Sequence, residues 1–205
     1  ANILNILAKE YQIEEEDFVS AEIEAVPAGE ARDYGLDRSM IMGYGHDDRV
    51  CAYPSFRAML DVKEIPEYTG VCLLVDKEEI GSVGATGMKS RFFENMTAEV
   101  MHAAGQYNEL ALRRALARSK VLSSDVSAAF DPNFASVSDK KNTAYFGKGL
   151  VFNKYTGARG KSGSNDANAE YMAKLRNILD QQEVSYQTSE LGKVDQGGGG
   201  TIAYI

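Results

Sequence analysis

Two cysteines and two histidines leave this chain poor in the residues that build disulfides and soft-metal sites. Cys51 and Cys72 each sit inside an apolar segment and share no motif spacing, so both are expected to be reduced core residues rather than a disulfide pair or a metal knuckle. His46 and His102 are scarce for a metalloprotein. Basic charge is also short: 22 Lys and Arg stand against 30 Asp and Glu, a net charge of -8. That balance argues against a surface that tracks phosphates, so nucleic acid is excluded as an expected partner. No run approaches the roughly 20 apolar residues of a membrane span, and the opening ANILNILAKEYQIEEED lacks the basic start and small-residue cleavage site of a signal peptide. No membrane partner is expected, and the expected address is cytoplasmic. What remains is a chain of 205 residues, 44% hydrophobic, long enough for one domain with its own core.

The apolar pattern predicts alternating strands and helices. FVSAEIEAV places Val19, Ala21, Ile23 and Ala25 on one face with a period of two, as in a half-buried strand. A turn-rich stretch and the short MIMGYG follow, and then HDDRVCAYPSFRAMLDV returns to helical spacing, opened by Asp47 or Asp48. TGVCLLV has the composition of a strand covered on both faces. Ser90 to about Ser119 reads as two helices broken near Gly105. KVLSSDV, AYFGKGLVF and VSYQT read as strands, and NDANAEYMAKLRNILDQQ as an amphipathic helix with Asn165 or Asp166 near its cap. This alternation implies an α/β sandwich.

Ligands in open α/β sheets gather beyond the carboxyl ends of the strands. Three acidic groups fall at such places: Asp47 and Asp48 after MIMGYG, Glu78 and Glu79 after VCLLV, and Asp125 after VLSS. A helix cap, solvated charge and a turn would account for each singly. Together they suit a hard, oxygen-rich metal site or a carboxylate acid/base site. In a glutamate pair one carboxylate can bind a cation while its neighbour takes a proton from water, so Glu78 and Glu79 are candidates for base and ligand.

Five blocks in one order sharpen this reading: DDRVCAY; LLVDKEEIGSVGATGM with SRFFEN; SSDV with AAFDPN; YTGARGKSGSNDANAE; and ELGKVDQGGGGTIA. Over most of residues 18 to 205 the chain resembles the aspartyl aminopeptidase and vacuolar aminopeptidase I family of cocatalytic zinc peptidases, and within it bacterial members nearer the vacuolar branch. The resemblance implies a three-layer α/β/α sandwich and an aminopeptidase with two zinc ions per active site, which Co2+ or Mn2+ could replace. Peptides are the implied substrates and a homo-oligomer the implied assembly. It makes Asp47, with Asp48 second, the carboxylate bridging two ions, Glu78 the general base, Glu79 a ligand to one zinc and Asp125 a ligand to the other. Gly199, Gly200 and Thr201 would line the substrate cleft, where QGGGG otherwise reads as a flexible linker.

The departures from the family bear equally on function. An upstream H-x-D histidine and a histidine near the family's carboxyl end have no counterpart here, and His46 and His102 match neither motif. The chain therefore looks like a catalytic domain over 1–205 that lacks the upstream histidine segment, the inserted dimerisation domain and the final histidine segment. Alone it is expected to be a poor catalyst, and a structural or assembly module is the rival reading. In the aspartyl branch a histidine three residues after the aspartate ligand helps to recognise an acidic side chain. Here that position is Ala128, and Asp131 replaces a further histidine, so neutral N-terminal residues are expected over Asp or Glu. Selectivity for N-terminal Asp or Glu is the alternative.

Overall fold

The computed structural model describes residues 2–156 and 165–193. The chain separates into two compact units, Ala1–His46 and Asp47–Ile205.

The first unit opens with helix α1 (Asn2–Tyr11), in which Leu4 and Leu7, three apart, form the half-buried stripe while Ile3 and Ile6 stay exposed. A short 3-10 turn, Glu15–Val19, follows and is started by Asp17, whose Oδ2 accepts from the Glu14 N–H at 2.8 Å. The alternating FVSAEIEAV does not form the expected strand: Val19 and Ile23 are 89% and 62% exposed, and no ladder partner stands beside them among the described residues. Period-two spacing becomes a strand only when a neighbour completes its backbone hydrogen bonds. The unit's sheet is instead an antiparallel hairpin of β1 (Arg32–Tyr34) and β2 (Met40–Met42), in register Asp33 to Ile41.

Helix α2 (His46–Leu60) starts at the last residue of the first unit and otherwise belongs to the second, which also carries α3 (Phe92–Ala103) and α4 (Glu109–Arg118). The expected break near Gly105 is present, since Gly105 takes a φ of +68° and its N–H closes on His102 O at 2.9 Å. Asn108 then caps α4 by accepting from the Ala111 N–H. Arg113 of α4 pairs with Glu109 and reaches Glu94 of α3, which ties the two helices together.

Downstream lies a sheet in the order β4-β3-β5, built from β3 (Leu150–Thr156), β4 (Asn165–Asp166) and β5 (Tyr186–Glu190). β3 and β5 are parallel and are joined through α5 (Ala169–Gln181), as a parallel pair requires a crossover. The cap of α5 is Asn168, because Asn165 and Asp166 are taken up by β4. The strand expected over AYFGKGLVF begins only at Leu150, since Gly147 and Gly149 adopt φ of +70° and +94°.

Gly149 is required by its neighbours as well as by its φ. A methyl group there would lie 2.2 Å from Ser185 O, the atom that accepts from the Leu150 N–H where β3 meets β5. In the full-length protein Gly149→Ala is expected to lower stability by about 1–3 kcal/mol. Gly147→Ala, with open space beside it, should cost less, and urea denaturation of both variants checks the order.

TGVCLLV and KVLSSDV, both expected as strands, belong to no ladder among the described residues. Val71, Leu74, Val121 and Leu122 are each more than half exposed. The expected core is correspondingly small: among the described residues only Leu112 and Ala144 are fully buried hydrophobics. Cys51 and Cys72 are free, and both are half-buried rather than core residues. No described helix is long and apolar enough to cross a membrane.

Candidate functional site

Asp47 and Asp48 open α2 as the sequence suggests, but neither has helical dihedrals: Asp47 has φ -78° and ψ 120°, Asp48 φ -109° and ψ 25°. The peptide bond between them is cis. Glu78 and Glu79 begin a one-turn 3-10 helix, Glu78–Ile80, bracketed by Lys77 and Gly81 in the left-handed region. Asp125 lies between Ser124 and Val126, with its Oδ1 accepting the Val126 N–H at 2.7 Å. All five carboxylates belong to the second unit.

Their electrostatics bring these three segments into one field. Partial burial raises the Glu78 carboxyl above its ordinary value, and the charges of Asp125, Glu79, Asp47 and Asp48 raise it further. Asp125 thus acts on Glu78 more strongly than Glu79, its neighbour in the chain. Asp125 is itself raised, first by burial and then by Asp47, Asp48 and Glu79, while the Val126 N–H opposes the shift. Cys51, one turn into α2, joins the group: burial pushes its thiol up, a hydrogen bond with Ser124 counters this, and Asp125, Asp48 and Asp47 add to it. Sequence reasoning gave Cys51 no place here; its position four residues after Asp47 was the available signal.

The charges that raise Glu78 and Asp125 are repulsive, and a divalent cation among the carboxylates would relieve that repulsion. The donor set is all oxygen, which fits a hard or borderline cation, with zinc favouring imidazoles in addition. Among the described residues no group of three or more His, Cys, Asp or Glu is drawn tightly enough to hold an ion. His46 and His102 are exposed, and neither is among the charges acting on Glu78. Gly199, Gly200 and Thr201 lie outside the described residues.

The pattern of the family described as Aminopeptidase I zinc metalloprotease (M18) matches residues 1–205. The chain belongs to the M18 family. It is 67% identical over 204 residues to a probable M18 family aminopeptidase 1 of Clostridium acetobutylicum, covering 100% of this chain and 44% of that protein. The crystal structure of aminopeptidase I from C. acetobutylicum superposes with a TM-score of 0.86 at 65% identity, over 98% of this chain and 43% of the other. An M18 aminopeptidase structure from Thermotoga maritima gives 0.90 at 48% identity, over 99% and 45%. The mApe1 dodecamer of S. cerevisiae, 20% identical with a TM-score of 0.62 over 93% and 43%, shares the fold. This M18 chain therefore spans less than half the length of the relatives it matches.

Proposed function

We propose that this M18 chain carries the carboxylate half of the active site of a zinc-dependent aminopeptidase that releases neutral N-terminal residues from peptides. The observation that carries the reading is the match of a zinc metalloprotease family to the whole chain, with which the charges of Asp125, Glu79, Asp47 and Asp48 raising the Glu78 carboxyl agree. In the complete protein Asp47 would be shared between two zinc ions, with Glu79 on one and Asp125 on the other; Co2+ or Mn2+ could replace them. Bound zinc lowers the pKa of water towards about 7 and polarises a carbonyl.

The chain's own residues do the rest. Glu78, at the open end of its 3-10 turn, takes the proton from the water that attacks the first peptide carbonyl and later delivers it to the leaving amine. Asp125, with one oxygen engaged by the Val126 N–H, keeps the other for a ligand role. Gly199, Gly200 and Thr201 would line the cleft for the peptide backbone. The proposed setting is a three-layer α/β/α sandwich in a cytoplasmic homo-oligomer, a form supported by the dodecamer of the yeast protein.

Substrate choice follows from charge. The charges acting on Asp125 are carboxylates, Asp47, Asp48 and Glu79, and Asp131 downstream is a further acidic residue, engaged as an N-cap by accepting from the Asn133 N–H at 2.8 Å; an acidic substrate side chain would meet like charge. The zinc-loaded full-length protein is expected to hydrolyse leucine p-nitroanilide at least about tenfold faster than the aspartate anilide, on the scale of one misplaced charge. The reverse order would establish the aspartyl selectivity instead. Hydrolysis of neither would leave the structural or assembly module.

A further inference from the structure

The stretch that follows the glutamate pair, IGSVGATGMKS, spaces glycines at 81, 84 and 87, with Ser82 between the first two. In the structure this loop crosses itself. Lys77, Gly81, Ser82 and Gly84 all adopt left-handed φ, of 66°, 87°, 61° and 91°. Ser82 is 5% exposed and sits at the crossing. Its N–H donates to Lys77 O at 2.7 Å, directly before Glu78, and its carbonyl accepts from the Lys89 N–H at 3.0 Å. Gly81 N–H closes the glutamate turn on Glu78 O at 2.8 Å. Buried Gly87 is pressed against this point: a methyl group there would lie 2.2 Å from Ser82 O and 2.7 Å from Val83 O.

A turn that only exposes charge to water has no need of this arrangement. A non-glycine residue at positive φ is strained by roughly 1–3 kcal/mol and persists only where its surroundings over-determine it. Here both backbone groups of Ser82 and the absent side chain of Gly87 over-determine it, and what they enclose is the six-residue path from Lys77 to Ser82 that carries Glu78 and Glu79. We propose that Ser82 and Gly87 form a backbone lock that positions Glu78 and Glu79. Neither residue touches substrate; both act through the glutamates. The inference rests on the roles of Glu78 and Glu79 in the function proposed above.

Four variants of the full-length, zinc-loaded protein test it, read by leucine p-nitroanilide kinetics, zinc competition titration and amide hydrogen exchange at Ser82 and Lys89. Ser82→Gly keeps both backbone bonds and accepts a φ of 61°, so kcat, zinc affinity and protection should stay near wild type. Ser82→Val places a β-branched residue at that φ, and Gly87→Ala drives a methyl into Ser82 O; each should open the two amides and lower kcat about 10- to 100-fold with KM unchanged, as loss of positioning does. Gly105→Ala is the control for strain alone, with a φ of +68° and nothing within 4 Å: Tm should fall while kcat holds. Full kcat in Gly87→Ala or Ser82→Val with opened amides would overturn the lock. So would a kcat that tracks Tm in all four variants. An inactive, zinc-free wild type would overturn the enzymatic reading and the lock with it, whereas an active wild type with indifferent variants removes the lock alone.

Discussion

Glu78→Gln in the full-length protein is expected to lower kcat by about 100- to 10,000-fold while leaving zinc content unchanged, which is the usual cost of losing a general base. The amide matches the carboxylate in shape, so the Glu78–Ile80 turn and its closure by the Gly81 N–H survive; what disappears is the ability to accept a proton. The neighbouring charges make this a sharper test than it would be for an isolated surface glutamate. Asp125, Glu79, Asp47 and Asp48 all disfavour the ionised form of Glu78, so neutralising it also relieves their repulsion, and the variant should be at least as stable as wild type without metal. A protein that is stable, zinc-replete and inactive identifies the base. Activity within a factor of a few would remove Glu78 from that role, and lost zinc would make it a ligand. Single-turnover kinetics with metal analysis separates the three outcomes.

How much of this could be read from the sequence depends on how local each feature is. α3, α4 and α5 were legible because their period and the break at Gly105 lie within a few residues of one another, whereas the caps were not: Asn108 and Asn168 each satisfy an N–H of the turn they open, and Asn165 and Asp166, the expected cap of α5, pair in β4 instead. β3 and β5 were legible as strands, and only the two left-handed glycines before Leu150 moved the boundary. Residues 69–75 and 120–126 have equally strong strand composition but form none, because a ladder is a property of two segments and composition describes one. The same distinction governs the site. Three acidic clusters at apolar segment ends, and the resemblance of the blocks around them, made the carboxylates candidates. That Asp125 outweighs Glu79 in acting on Glu78 is a tertiary fact with no trace in the spacing. Cys51 was misplaced for the reverse reason: an apolar helix turn reads as core, although here it faces Ser124. Ser82 was missed although its signal, glycines every three residues after a glutamate pair, stood in the quoted motif.

Asp125→Asn is expected to move zinc affinity and metal-free stability in opposite directions, which no solvated surface aspartate would do. The substitution keeps an oxygen to accept the Val126 N–H, so the local backbone is retained while one negative charge is removed. As a ligand, Asp125 should be worth about 100-fold or more in zinc affinity, since even groups that merely support a ligand are worth 10- to 100-fold. Without metal the sign reverses. Glu78 and Asp125 both have folded-state pKa values raised above their ordinary ones, by burial first and then by the charges of neighbouring carboxylates. A carboxyl raised in this way contributes stability below its unfolded value, and that contribution is lost as pH rises through the folded value. The chelated wild type therefore carries its full electrostatic penalty at neutral pH, and Asp125→Asn removes part of it. In chelator at about pH 7.5 the variant should melt at or above wild type; at about pH 4, where the carboxyls are largely protonated, the difference should shrink. Added zinc should restore the wild-type lead at neutral pH, because binding to the folded state raises Tm in proportion to affinity. Both halves are read in one set of thermal melts across pH with and without zinc. Wild-type zinc affinity in the variant would remove Asp125 from the metal site, and a lower Tm in chelator at neutral pH would show that its charge is held by a favourable partner rather than by repelling carboxylates.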